Sequence, residues 1–221
     1  MSKFYIICVF YILTVLTTDN FTIDTNIVII PKFTDIKILL KATDERPDLR
    51  VQYLQYNPHL WMNNPRTTLT LSEALYKIGR YQESLAFGHY LLLKPLSYFN
   101  KGKNYFTIAK NYIALKNTNQ AHYYLHKAIT RNNQYYYFYY ARFEEYNGNF
   151  LLAIELYQKS LNHKFGEKDY ILAGYSRVLN NTLIYYKNRD KELYNYYMNL
   201  IKENPRLPQG KARIIEKAII W

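Results

Sequence analysis

The chain has 221 residues, of which 49% are hydrophobic and 21% charged, an ordinary globular balance that excludes disorder as a global description. Its single cysteine, Cys8, excludes a disulfide framework and any cysteine-based metal site in the remainder. The formal net charge of +12 favours an anionic partner without choosing among nucleic acid, an anionic membrane face and an acidic protein. Gly and Pro number 7 each, so breakers are sparse and long helices are favoured over many short strands. Tyr is abundant at 26. A phenol suits half-buried positions where one end packs and the other meets water.

In chain order, Lys3 gives a short positive start and Phe4 to Leu16 is a largely apolar run, followed by polar Thr17 to Asn20. That layout predicts a secretory signal peptide over residues 1–18. The run is short for a spanning helix, which needs about 20 residues. It lacks an A-x-A-like cleavage triplet, so an uncleaved anchor is the alternative. Membrane association is expected only through this segment. The expected location is periplasmic or secreted.

Residues 19–66 read as a less regular lead-in that packs on the helical repeats after it. Phe21-Thr22-Ile23 and Asn26 to Ile30 are β-prone and end at Pro31. Thr34 or Asp35 is placed to cap a short helix through Ala42. Pro47, Pro58 and Pro65 punctuate the rest.

From Thr67 the pattern is paired and helical. Leu71 to Ile78, a turn at Gly79-Arg80-Tyr81, and Gln82 to Pro95 carry apolar residues at three- and four-residue steps. The shape returns from Tyr105, through a turn at Asn117-Thr118-Asn119, to Arg131. It returns again from Tyr135, through Gly148-Asn149, to Leu161. Ala121 and Ala128 precede Ala153 and Ser160 by 32 residues, and follow Ser84 and Leu91 by 37. A period near 34 with two helices per unit indicates stacked hairpins, because a lone hairpin cannot bury its apolar faces. Asp169 to Pro205 reads as a fourth, irregular pair with its second helix over Lys191 to Glu203, so the repeats span 67–205. Residues 206–221 read as a C-terminal capping helix, with a partner-docking helix as the other use.

These residues resemble the tetratricopeptide repeat family in degenerate form. Tyr105, Ile108, Ala109 and Tyr112, then Ala121, Leu125 and Ala128, stand where the family wants its large and small residues. The third copy offers Tyr137, Ala141, Ala153, Tyr157 and Ser160 and departs at Tyr140 and Glu144; the first is weaker. The resemblance implies an all-α fold: a right-handed α-solenoid of antiparallel helix pairs. It also implies a concave groove lined by the first helix of each pair. By that register the groove receives Glu73, Tyr76 and Lys77, then Lys103, Phe106 and Lys110, then Tyr135, Phe138, Arg142 and Tyr146. Lys103, Phe106, Lys110, Tyr135, Phe138, Arg142 and Tyr146 are the expected partner-binding residues. The competing reading packs Phe106 and Phe138 between neighbouring repeats. The family's carboxylate clamp is not expected, since Leu69, Glu73 and Thr107 occupy its positions.

Little here points to chemistry. His122 and His126 are four apart on one helix, but the intervening residues lack the Glu of a zinc-protease motif, and the register puts both on the outer side. There is no nucleophile elbow and no phosphate-cradling glycine loop. The expectation is a non-enzyme with no catalytic residues, no metal, no cofactor and no small-molecule substrate. Its expected partner is a protein or peptide, acidic in the segment bound. The expected role is an exported scaffold or adaptor in a cell-envelope assembly, with a periplasmic flagellar motor as the narrower setting. The alternative is an intracellular nucleic-acid-associated helical repeat protein.

Overall fold

Left-handed residues, one at the turn within each of the first three helix pairs, organise the fold. The computed structural model describes residues 39–41, 43–130, 135–161 and 168–203. In it Gly79 has φ +82°, Lys116 +59° and Gly148 +80°. Each ends a helix by the same device, in which the next backbone N–H reaches back five residues to a carbonyl. The three bonds are Arg80 to Leu75 at 2.9 Å, Asn117 to Tyr112 at 2.8 Å and Asn149 to Glu144 at 2.9 Å. They satisfy carbonyls that a helix end leaves orphaned. Positions 79, 116 and 148 are 37 and 32 residues apart, the offsets found among the small residues of the second helices.

Around these turns the chain forms two compact units, Met1–Arg131 and Asn132–Trp221. The first contains α1 (Pro47–Tyr56), a 3-10 turn (Pro58–Leu60), α2 (Pro65–Lys77), α3 (Tyr81–Leu92), α4 (Tyr98–Ala114) and α5 (Thr118–Ile129). The second contains α6 (Tyr135–Tyr146), α7 (Phe150–Leu161), α8 (Lys168–Tyr186) and α9 (Lys191–Glu203). Among the described residues there is no strand. Consecutive helices pack as pairs, α2 on α3, α4 on α5, α6 on α7 and α8 on α9. The expected signal segment, the β-prone stretch and the C-terminal helix lie outside the described residues.

Small residues mark equivalent positions in the pairs. Ser72 and Ser84, Ala109 and Ala121, and Ala141 and Ala153 repeat at the same offsets and are all fully buried. Short side chains there let paired helices approach closely. In the first pair they also bond. Ser72 Oγ donates to the Ser84 carbonyl at 3.0 Å, and Ser84 Oγ donates to the Ser72 carbonyl at 2.7 Å. Asn111 Nδ2 of α4 donates to Ser84 Oγ at 2.8 Å and ties in a third helix. Gly88 and Gly174 serve close approach differently. A Cβ at Gly88 would lie 2.7 Å from Ile108, and one at Gly174 2.7 Å from the Tyr157 ring.

Several boundaries differ from the sequence reading. Pro65 opens α2 instead of preceding it, because its fixed φ and missing N–H suit the first helical position. Asn64 caps it, accepting from the backbone N–H groups of Arg66 and Thr67. Helix α4 begins at Tyr98 rather than Tyr105, capped by Ser97. Its turn into α5 sits at Lys116, and Asn117 is the cap of α5, accepting from Gln120 N–H at 3.2 Å.

The described part of the lead-in shares a core with the first pair. Leu39, Val51, Leu54 and Trp61 pack with Leu71, Leu75 and Phe87. The Trp61 indole donates to the Leu54 carbonyl at 2.9 Å and meets the Phe87 ring edge-on at 5.0 Å.

Candidate functional site

In the first unit the helical period places Thr70, Glu73 and Lys77 along one face of α2, and Lys103, Phe106 and Lys110 along one face of α4. The Lys103 ammonium lies 2.8 Å from the Glu73 carboxylate. The Lys110 ammonium sits over two rings, 4.5 Å from the Tyr76 centroid and 5.3 Å from that of Phe106. Such contacts strengthen as the cation loses water. Burial holds the Lys110 amine below its ordinary pKa; Glu73 opposes that shift, while Lys103 and Lys77 add to it.

These faces line a cavity of about 400 Å³. Its remaining wall comes from the lead-in: Leu40, Asp44 and Arg50. Arg50 is pinned by three groups. Its Nε donates to Thr43 Oγ1 at 3.0 Å, and its Nη2 donates to the Leu40 carbonyl at 2.6 Å and to Asp44 Oδ1 at 3.3 Å. The lining thus carries four cations, Arg50, Lys77, Lys103 and Lys110, against two carboxylates, Asp44 and Glu73, a net of +2.

In the second unit α6 presents Tyr135 and Tyr146, the latter 78% exposed. Tyr135 and Tyr139 share a hydroxyl contact of 2.6 Å. Phe138 is half-buried against Tyr157, with ring centroids 6.1 Å apart. The Arg142 guanidinium lies 5.7 Å over the Phe138 ring. The two units therefore repeat one device, a Phe with a cation on its face one turn later: Phe106 with Lys110, and Phe138 with Arg142. Beneath this face Tyr157 donates to Glu145 Oε2 at 2.8 Å, and Arg177 bonds both oxygens of the same carboxylate.

The seven expected partner-binding residues fall in both units, Lys103, Phe106 and Lys110 in the first, Tyr135, Phe138, Arg142 and Tyr146 in the second. Phe106 is only 8% exposed; its ring serves as the seat of an ammonium group and core packing together. Leu69 and Thr107 are buried, so neither offers a donor to the cavity. His122 and His126 are exposed on α5. Among the described residues no group of three or more His, Cys, Asp or Glu is placed to hold a metal ion, and no helix is long and apolar enough to cross a membrane.

Two features escape the sequence. Arg50 and Asp44 lie outside the repeat register, and only the fold brings them to the cavity. His89, isolated in the sequence, lies among tyrosines, with Nε2 3.2 Å from the Tyr112 hydroxyl and its ring 5.7 Å from that of Tyr124. Burial lowers its pKa.

No protein-family model and no curated protein matches this chain. Two solved structures of MamA do so in fold. One has a TM-score of 0.50 at 19% identity and covers 78% of this chain and 94% of MamA. The other has a TM-score of 0.49 at 19% identity, covering 84% and 92%. MamA is a tetratricopeptide-like helical protein, and the likeness at 0.50, together with the helix pairs above, gives this chain an all-α fold of the tetratricopeptide type.

Proposed function

We propose that this chain is a protein-binding scaffold and not an enzyme, and that it binds net-acidic protein segments, with the α2/α4 face of the first unit and the α6 face of the second each a candidate surface in its own right. The observation that carries this reading is the cationic recess of the first unit, where Lys110 is set on two aromatic rings beside Lys77 and Lys103. Aromatic and cationic groups together are what binding hot spots are made of. The cations add steering and selectivity for an acidic partner. The apolar run of residues 4–16 supports an exported scaffold acting in a cell-envelope assembly, and an adaptor at a periplasmic flagellar motor is its narrowest form. An exported chain meets little nucleic acid, which favours a protein partner over the intracellular nucleic-acid reading.

The test is capture of partners from native cells by the wild type, Lys77→Glu and Arg142→Glu, across a salt series. Lys77 is exposed and makes no ion pair among the described residues, so its reversal should leave the melting temperature nearly unchanged. Each reversal should weaken capture by about 1 kcal/mol or more, most at low salt. Nuclease treatment should leave the complexes intact. Folded variants that keep the partner at wild-type level at every salt would defeat the groove reading. Fractionation of the same cells checks the address, and a cytoplasmic chain retaining Met1 would remove the exported part.

A further inference from the structure

The cavity of the first unit holds more positive charge than its own carboxylates cancel, and the surplus can be assigned to atoms. Arg50, whose side chain is 8% exposed, commits Nε to Thr43 and Nη2 to the Leu40 carbonyl and Asp44. Glu73 holds Lys103 at 2.8 Å. Lys77 from α2 and Lys110 from α4 make no ion pair among the described residues. Two ammonium groups from two helices are thus left facing one space, and one of them is oriented by the Tyr76 and Phe106 rings.

Charge and shape narrow the ligand. A single carboxylate would leave one of the two cations unbalanced in the recess, whereas a dianion balances both at one point. A planar carboxylate is best held by a guanidinium fork. The one guanidinium in the lining has Nε and both Nη2 donors engaged by the lead-in, so neither edge of its fork is free for a second carboxylate. What remains are ammonium point charges, which suit the oxygens of a tetrahedral phosphoryl group. A phosphate monoester carries a charge of about −1.5 to −2 at neutral pH, close to the surplus. At about 400 Å³ the cavity is of small-ligand size, with room for the carrier of the phosphoryl group as well. We propose that the cavity is a phosphoryl-binding site that takes a phosphate monoester borne on the partner segment, clamped by Lys77 and Lys110. The proposal rests on the reading of this face as partner-binding.

The experiment uses the full chain and labelled peptides of Asp, Gly and Ser that differ at one central residue: phosphoserine, glutamate or serine. Inorganic phosphate and acetate at matched ionic strength are titrated in parallel, with the melting temperature as readout. The variants are Lys77→Ala, at an exposed position, and Lys110→Met, which keeps an aliphatic stem on Tyr76 and Phe106. The phosphoserine peptide should bind at least about tenfold tighter than the glutamate peptide, and each variant should lose that advantage while keeping its helical circular dichroism. Phosphate, but not acetate, should raise the melting temperature saturably. Equal binding of phosphoserine and glutamate peptides, dependent on both lysines, overturns the phosphoryl site and leaves the acidic-segment reading standing. An advantage that survives both variants also overturns it. Lysine-dependent binding of inorganic phosphate with no binding of any peptide supports the phosphoryl site, makes a small phosphate ester its ligand, and removes the scaffold reading.

Discussion

At the scale of single residues, three turns that look alike in the backbone differ in sequence. Gly79 and Gly148 adopt positive φ at no steric cost, and a Cβ at either would meet nothing within 4 Å. Lys116 adopts the same conformation with a Cβ, which costs roughly 1 kcal/mol in the left-handed region. Gly79→Ala and Gly148→Ala should therefore each lower stability by about 1 kcal/mol for purely conformational reasons. Lys116→Gly should run the other way. Relief of strain gives up to about 1 kcal/mol, reduced by the extra freedom of the unfolded chain. Chemical denaturation of the three variants checks this. An unchanged midpoint for Gly79→Ala would mean that the turn is not left-handed in solution. The same contrast explains why one turn boundary differs between sequence and structure. The turn residue Gly79 is visible in the sequence, whereas Lys116 carries no turn signal, so the residue pattern points instead to the cap residue Asn117.

At the scale of helices, the legible features are those that one helix decides for itself or repeats. The 32- and 37-residue offsets locate α3, α5 and α7, because the small residues at their crossings must recur wherever pairs approach. Helix α9 is legible as an amphipathic stretch closed by Pro205. The N-terminal half of α4 is not. Asn100, Gly102 and Asn104 are poor helix formers, and this stretch is held by tertiary contacts, such as Asn104 Nδ2 donating to the Gly88 carbonyl at 2.9 Å. Helix α6 shows the other limit. Tyr occupies nearly every position from 135 to 140, so no periodicity distinguishes buried Tyr136 and Tyr140 from exposed Tyr135. At the site, the register finds the faces of α2 and α4 but not their meaning. That Phe106 carries Lys110 rather than standing exposed depends on the neighbouring helix. The wall formed by Asp44 and Arg50 depends on a lead-in whose core residues, Leu39, Val51 and Leu54, share a cluster with residues of α2 and α3.

At the scale of the whole molecule, the 26 tyrosines couple stability to alkaline pH in both units. In the first, burial, reinforced by Tyr112, Tyr123 and Tyr105, pushes the Tyr124 phenol up to about 12. In the second, burial pushes Tyr140 and Tyr157 up further, Glu144 adding to the first shift and Glu145 to the second. A phenol with its pKa raised on folding keeps its proton where the unfolded chain, titrating near 10, has lost it. Between pH 10 and about 12 the folded state therefore binds more protons, and stability falls as pH rises. Below pH 10 the contribution is fully present. Phenolate absorbance should accordingly rise in two phases. The first phase, in the ordinary phenol range, should leave helical circular dichroism intact, and the buried phenols of Tyr124, Tyr140 and Tyr157 ionise only as that signal is lost. Tyr124→Phe removes one suppressed phenol from the first unit, so the alkaline loss of helix there should move to higher pH, while the second unit, governed by Tyr140 and Tyr157, should be unmoved. If all phenols instead titrate in one step near pH 10 while the helical signal persists, these rings are not buried between helices, and the packing that sets both binding faces is wrong.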